Sequence, residues 1–241
     1  MRQGSYEAVV FDLDGTLIDT EPFYRAAFRA TARNFGVSVP TELYAALVGI
    51  ATCERRPILR RAFGPGFPVD DFIAAYYAQR AARLPARIPL CAGAASLLRR
   101  LRLPKAIATS ASRRTAVRHI DRAGLGGAFS HLVTRDDVRR GKPAPDTFLH
   151  AANLLGVSPG ECLAIEDSPA GVAAAHRAGM PVVMIATSTA QETRQRCITV
   201  VPRLDAVPDP SCIPRLLAEP RTTFIRCRTD RAGSKPVAHR S

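Results

Sequence analysis

Two aspartates two residues apart, Asp12 and Asp14 in EAVVFDLDGTLIDT, stand where a short apolar run stops. Carboxylates at the end of a buried strand are costly unless paired or metal-bound. The other reading is a turn, because Asp14-Gly15 is a turn-forming pair. Further along, Thr109, Ser110 and Ser112 follow a second apolar run, Lys142 stands in RRGKPAPDTF, and Glu166, Asp167 and Ser168 follow another apolar run. Four carboxylates gathered in one place repel one another by about 4 kcal/mol per close pair, so something positive must sit among them. Hard oxygen ligands in small number suit Mg²⁺, held by Asp12, Asp14, Glu166 and Asp167 together with a substrate phosphate. Lys142 supplies further positive charge, and the Ser110 hydroxyl with nearby backbone N–H groups would hold phosphate oxygens. That set is suited to phosphoryl transfer. Each part also has a structural reading: Ser110 or Ser112 as a helix N-cap, and Glu166-Asp167-Ser168-Pro169 as a capped helix start.

These residues need a scaffold that brings them to one edge. Ala8-Val9-Val10-Phe11 is too short for a helix and reads as a buried strand. Further strands are expected at Lys105–Ser110, Leu132–Thr134, Cys162–Ile165 and Pro181–Ile185, alternating with helices at Gly93–Leu103, Arg113–Ala123, Asp146–Leu155 and Ala170–Ala178. Such alternation implies a parallel sheet covered on both faces, with ligands at the carboxyl ends of the strands. Between Asp19 and Leu90 the pattern is helical throughout: a helix opening at Glu21-Pro22, then Glu42–Val48, Glu54–Phe63 and Asp70–Leu84, divided by Gly49, the turn around Gly64 to Pro68, and Pro85. A helical block between strand-bearing regions reads as an inserted cap. The expected class is therefore α/β, a Rossmann-like doubly wound parallel sheet core (residues 1–20 and 91–205) with an inserted all-helical cap domain (21–90). Residues 206–241 are basic and proline-broken and read as a weakly ordered extension.

The 241 residues carry a net charge of +13, but nearly all of it is arginine scattered along the chain. This reads as compositional bias rather than a nucleic-acid surface, since no basic stretch is interleaved with aromatics. Against that bias the rare lysines stand out, and Lys142 suggests a site that needs a compact ammonium. The six cysteines form no C-x-x-C pair, which speaks against a zinc site or a disulfide framework. No apolar run has the length of a membrane span and no signal-peptide pattern opens the chain, so a cytoplasmic protein without a membrane partner is expected. The histidines His119, His131, His150, His176 and His239 lack ligand spacing and read as ordinary surface or core residues.

The motifs FDLDGTLIDTEP, ATSAS, RGKPAPDTF and AIEDSPAG, followed by HRAG, resemble the haloacid dehalogenase-like superfamily over about residues 6–205. The likeness is to the helical-cap branch that contains β-phosphoglucomutases and small sugar-phosphate or nucleotide phosphatases. It implies that Asp12 attacks phosphorus and forms an aspartyl-phosphate. It implies that Asp14 acts as general acid and then general base, its backbone carbonyl helping to hold Mg²⁺. It further implies phosphate binding by Ser110, with Thr109 as the alternative, charge stabilisation by Lys142, and metal binding by Asp167 with Glu166. For Asp14 to be an acid near neutral pH, burial and neighbouring negative charge must raise its pKa. Mutase relatives carry a histidine where this sequence has Tyr24, which favours water over a sugar as final acceptor. Thr52, Arg55, Arg56 and Arg80 are the residues of the helical block that could choose a substrate, although such arginines are more often solvated. The expected substrate is a small phosphorylated metabolite. The alternatives are a phosphosugar mutase of the β-phosphoglucomutase type and a non-catalytic scaffold or nucleic-acid protein on the same fold.

Overall fold

The computed structural model describes residues 5–48, 52–186 and 191–210. Gly49 and the tail from residue 211 onward lie outside them, as do the side chains of Thr52 and Cys53.

The strand β1 (Ala8–Phe11) is buried along its whole length. Parallel neighbours flank it on both sides, β2 (Lys105–Ala108) and β4 (Cys162–Glu166). With β3 (His131–Val133), β5 (Val182–Ile185) and β6 (Thr199–Val201) the sheet runs β3-β2-β1-β4-β5-β6, all parallel. Successive side chains of β1 enter opposite layers. Val9 and Phe11 join Leu97, Ile107, Ala116 and Ile165 on one face, while Ala8 and Val10 join Phe148, Ala164, Val172 and Val182 on the other. Burial on both faces explains why the strands read as continuous apolar runs rather than alternating ones. The helices α5 (Ala94–Arg100) and α6 (Arg113–Ala123) cover the first face, α7 (Asp146–Leu155) and α8 (Pro169–Arg177) the second.

The strand order reverses at β1. From there the chain runs outward through β2 and β3, then returns to place β4 on the other side of β1. Loops leaving β1 and β4 therefore part in opposite directions and open a crevice at their carboxyl ends, the position where such sheets bind ligands.

Four helices are inserted between β1 and α5: α1 (Glu21–Asn34), α2 (Thr41–Leu47), α3 (Thr52–Phe63) and α4 (Val69–Arg83). They have a hydrophobic cluster of their own, built on Phe28, Leu59, Phe72, Ile73 and Tyr76. Phe28 meets both Phe72 and Tyr76 edge to face, with ring centroids 5.4 Å apart in each pair, the arrangement that ring quadrupoles favour.

Three elements, α5, β6 and α9, depart from the sequence expectation. The helix expected over Gly93–Leu103 ends at Arg100 with Leu101 in extended backbone, since Pro104 has no N–H to give the Arg100 carbonyl and its ring would clash with it. A sixth strand, β6, and the short helix α9 (Gln191–Gln195) before it were not expected. At three residues β6 is too brief to raise a periodic signal, and its place at the sheet edge is set by pairing with β5. The packed core also reaches past residue 205: Val207 is buried, and its carbonyl accepts a hydrogen bond from Arg100.

Among the described residues Cys91, Cys162 and Cys197 are free thiols, and no helix is long and apolar enough to cross a membrane.

Candidate active site

At the end of β1 the Asp12 N–H donates to the Ile165 carbonyl of β4, at 2.9 Å, which fixes the backbone at the mouth of the crevice. The Asp12 side chain faces Lys142 from the loop before α7, whose Nζ donates to Asp12 Oδ1 and to Glu166 Oε1, each at 2.6 Å. Lys142 is only 1% exposed and Glu166 is fully buried. An ammonium can serve two carboxylates on different elements from one point, and the Phe148 ring, 4.8 Å from Nζ, closes its slot. This is a physical reason for lysine in a chain that otherwise uses arginine.

The other oxygen of Glu166, Oε2, accepts from the Asp167 N–H, the Ser168 N–H and the Ser168 hydroxyl at 2.8, 2.8 and 3.0 Å. Both of its oxygens are thus engaged by donors, and Glu166 anchors Lys142 in its slot. Ser168 in turn accepts from the Gly171 N–H and caps α8. The capping reading of EDSP therefore holds. A Cβ at Gly171 would lie 1.6 Å from Glu166 Oε1. Alanine is the better helix former by about 1 kcal/mol, yet here the overlap outweighs propensity. Gly171→Ala is expected to lower stability by about 3 kcal/mol, at the upper end of overpacking costs, and to reduce turnover by displacing Glu166 and with it Lys142. Urea unfolding with a parallel rate measurement checks this; a variant as stable as the parent would show that the loop yields freely.

Asp167 lies across the turn after β1. Thr16 donates to its Oδ1 at 2.9 Å. The turn passes so close that a Cβ at Gly15, where φ is +92°, would lie 2.3 Å from Asp167 Oδ2. Only glycine suits both demands.

Asp14 is held separately. Its Oδ1 accepts from Thr20 at 3.0 Å and from the Tyr24 phenol of α1 at 2.9 Å. His119 of α6 places Nδ1 3.1 Å from the same oxygen, close enough for an ion pair but out of line for a hydrogen bond. Above Tyr24 lies the Arg80 guanidinium of α4, 3.4 Å from the ring centroid.

The charges follow from this layout. Burial, joined by Glu166, pushes Asp12 up to about 8 although Lys142 opposes it. Burial, with Glu166 and Asp12 beside it, also raises Asp167 well above the ordinary carboxylate range. Burial disfavours the Lys142 ammonium, but Asp12 and Glu166 outweigh it and raise the lysine. Asp14 goes the other way from expectation. Burial raises it, but His119, Arg80 and the Tyr24 hydroxyl outweigh burial and hold it below its usual value. The sequence pattern suggested a raised Asp14; three groups that donate to or attract its charged form reverse the sign.

A cavity of about 650 Å³ opens over these residues between the sheet edge and the inserted helices. Asp12, Asp14 and Asp167 line its floor with Thr109 and Ser110, and Arg55, Arg56, Tyr76 and Arg80 line the side of the inserted helices. Thr109 is buried and its hydroxyl oxygen accepts from the Ala111 N–H at 3.1 Å, whereas Ser110 is half-buried. Ser112 caps α6, as one of its two readings had it.

The structure thus brings Asp12, Asp14, Lys142, Glu166 and Asp167 to one crevice, with Thr109 and Ser110 lining the same cavity. His119 was read as an ordinary residue and is instead buried against Asp14. Its signal was weak but present: Ala116 and His119, three apart, are the buried residues of α6, on a helix that starts directly after ATSAS.

Among the described residues no cluster of three or more His, Cys, Asp or Glu side chains is arranged around one point. The donor set nevertheless fits a hard cation with few protein ligands, because Asp12 and Asp167 are buried together and burial raises both in spite of Lys142 beside them.

A doubly wound sheet with buried carboxylates and a lysine at its switch point is the scaffold of an α/β enzyme. Residues 6–179 match the haloacid dehalogenase-like hydrolase family, and the chain belongs to it. It is 33% identical over 177 residues to the phosphorylated carbohydrates phosphatase of Thermotoga maritima, covering 72% of this chain and 82% of that protein. It is 37% identical over 181 residues to hexitol phosphatase A of Escherichia coli, covering 73% and 81% respectively. The crystal structure of CbbY from Rhodobacter sphaeroides in complex with phosphate has a TM-score of 0.68 to this chain at 27% identity, covering 83% of this chain and 96% of that one.

Proposed function

We propose that this chain is a Mg²⁺-dependent phosphatase that hydrolyses small phosphomonoesters, sugar phosphates foremost, through an aspartyl-phosphate on Asp12. The observation that carries this reading is the floor of the cavity, where Asp12 stands at the strand end with Lys142 2.6 Å away and Asp167 beside it. Relatives named as phosphatases of carbohydrate and hexitol phosphates support the substrate class.

An Asp12 oxygen attacks phosphorus in line with the ester oxygen, forming the acyl phosphate as the P–O bond to the alcohol breaks. Asp14 delivers a proton to the departing alkoxide. It then takes a proton from a water that attacks the same phosphorus, and cleavage of the Asp12–phosphorus bond releases phosphate and restores the carboxylate. Asp14 rests ionised, the form that activates water. A phosphate dianion arriving beside it favours its protonated form, the one the first step needs. Lys142 offsets negative charge on the nucleophile and on the transferring group. Asp12, Asp167 and the Asp14 backbone carbonyl would hold Mg²⁺, which when bound supplies positive charge at the phosphoryl oxygens. The inserted helices act as a cap that excludes water during the first transfer. Tyr24, donating to Asp14, occupies the place where mutase relatives carry histidine, and water is accordingly the final acceptor.

Purified protein with Mg²⁺, offered hexose, pentose, nucleotide and glycolate phosphates, is expected to release inorganic phosphate. Chelation with EDTA is expected to stop release, and Mg²⁺ to raise the melting temperature. Failure to release phosphate from any ester in the panel would refute the reading.

A further inference from the structure

His119 has no part in the chemistry just described, yet it is built into the site. It is 2% exposed on α6 and lines the cavity. Its Nδ1 is 3.1 Å from Asp14 Oδ1, and its Nε2 is 3.4 Å from the Tyr24 hydroxyl. A leucine would fill such a slot without bringing two nitrogens into the core, where polar atoms are costly. The three side chains that approach Asp14 all come to Oδ1, and among the described residues no hydrogen bond goes to Oδ2. Oδ2 is therefore the oxygen left to face the reacting atoms.

The three also differ in where they are anchored. Tyr24 belongs to the inserted helix α1 and Thr20 to the segment that leads into it. His119 belongs to α6, which packs on the sheet through Ala116. Any shift of the inserted helices carries Tyr24 and strains Thr20, whereas His119 keeps its place relative to Asp12.

We propose that His119 is a positioning residue for Asp14: from the fixed sheet domain it holds Oδ1 so that Oδ2 stays aimed at the ester oxygen while the inserted helices move. This rests on the phosphatase reading, in which Asp14 gives a proton to the leaving group. That step distinguishes substrates. A p-nitrophenolate leaves without a proton, whereas the alkoxide of glycerol 2-phosphate needs one.

The test measures pre-steady-state release of the alcohol from both esters, in the full chain with Mg²⁺. In His119→Leu the rate for glycerol 2-phosphate is expected to fall by about 10–100-fold, a share of what a positioned general acid contributes. The rate of p-nitrophenolate release is expected to stay within about twofold, with the substrate dissociation constant from the pre-steady-state concentration dependence unchanged for both. His119→Asn, whose amide nitrogen can lie near the Nδ1 position, is expected to recover most of the loss, and it carries the same comparison should His119→Leu not fold. Equal losses on the two esters, or none on glycerol 2-phosphate, would overturn this inference alone. No release of either alcohol by the unmodified protein would overturn the phosphatase reading and this inference with it.

Discussion

Asp12→Asn is expected to abolish turnover, with a fall of about 10⁴-fold or more, as removal of a covalent nucleophile does elsewhere. The substitution is isosteric, so the loss does not come from packing. Nor is the fold expected to suffer. Asp12 sits where burial and Glu166 already oppose its charge, and an amide relieves that repulsion while its oxygen can still accept from Lys142, at the loss of one of the two charges that pair with the lysine. The variant is therefore expected to melt within a few degrees of the parent and to bind substrate without consuming it. Two measurements check the prediction. Phosphate release falls to background, and protein quenched during turnover of ³²P-labelled substrate carries label on Asp12 in the parent and none in the variant. Undiminished turnover would sink the assignment of the nucleophile, as would label recovered on another residue.

What the sequence disclosed and what it hid divide along a physical line. Asp12, Lys142 and Asp167 were legible because each stands where a strand or a loop ends, and a strand's carboxyl end in a parallel sheet has one destination. Once β1, β2 and β4 are placed by their apolar runs, the residues after them are placed too. The registers Val10 with Ala164 and Val10 with Ala106 then bring the strand ends level. The place of His119 beside Asp14 was not legible, nor was the approach of Arg80, a candidate among several arginines, to Tyr24, because each lies within a helix whose rotation and approach depend on packing. Arg80 reaches Tyr24 only because α4 packs on α1 through Phe28, Phe72 and Tyr76. His119 reaches Asp14 only because Ala116 and His119 form the face that α6 turns inward. The charge state of Asp14 was misjudged for the same reason: the groups that lower its pKa arrive from helices, not from the motif that contains it. The role of Glu166 needed the structure as well. EDSP reads equally as a ligand pair and as a helix start, and only the structure shows Glu166 holding Lys142 with one oxygen and the start of α8 with the other.

Lys142→Met is expected to cost both activity and stability, and a second substitution separates the two. The lysine is buried between Asp12 and Glu166 at 2.6 Å from each, so removing its charge leaves two carboxylates facing each other away from water. Stranding a buried charge in this way destabilises by about 3–5 kcal/mol. Part of that repulsion is met by protonation of Asp12, which the nearby Glu166 already favours. Turnover is expected to be lost, since the Lys142 ammonium is the side chain that offsets charge on the nucleophile and, in the proposed mechanism, on the phosphoryl group. Adding Glu166→Gln removes one stranded charge while an amide oxygen can still accept from the Asp167 and Ser168 N–H groups. The double variant is therefore expected to regain a large part of the lost stability and none of the lost activity. Urea unfolding of the parent, both single variants and the double variant, beside their phosphate-release rates, gives the coupling. If Lys142 served only to neutralise Glu166, activity would return together with the fold. If instead it acts on the transferring group, a well-folded but inactive double variant follows.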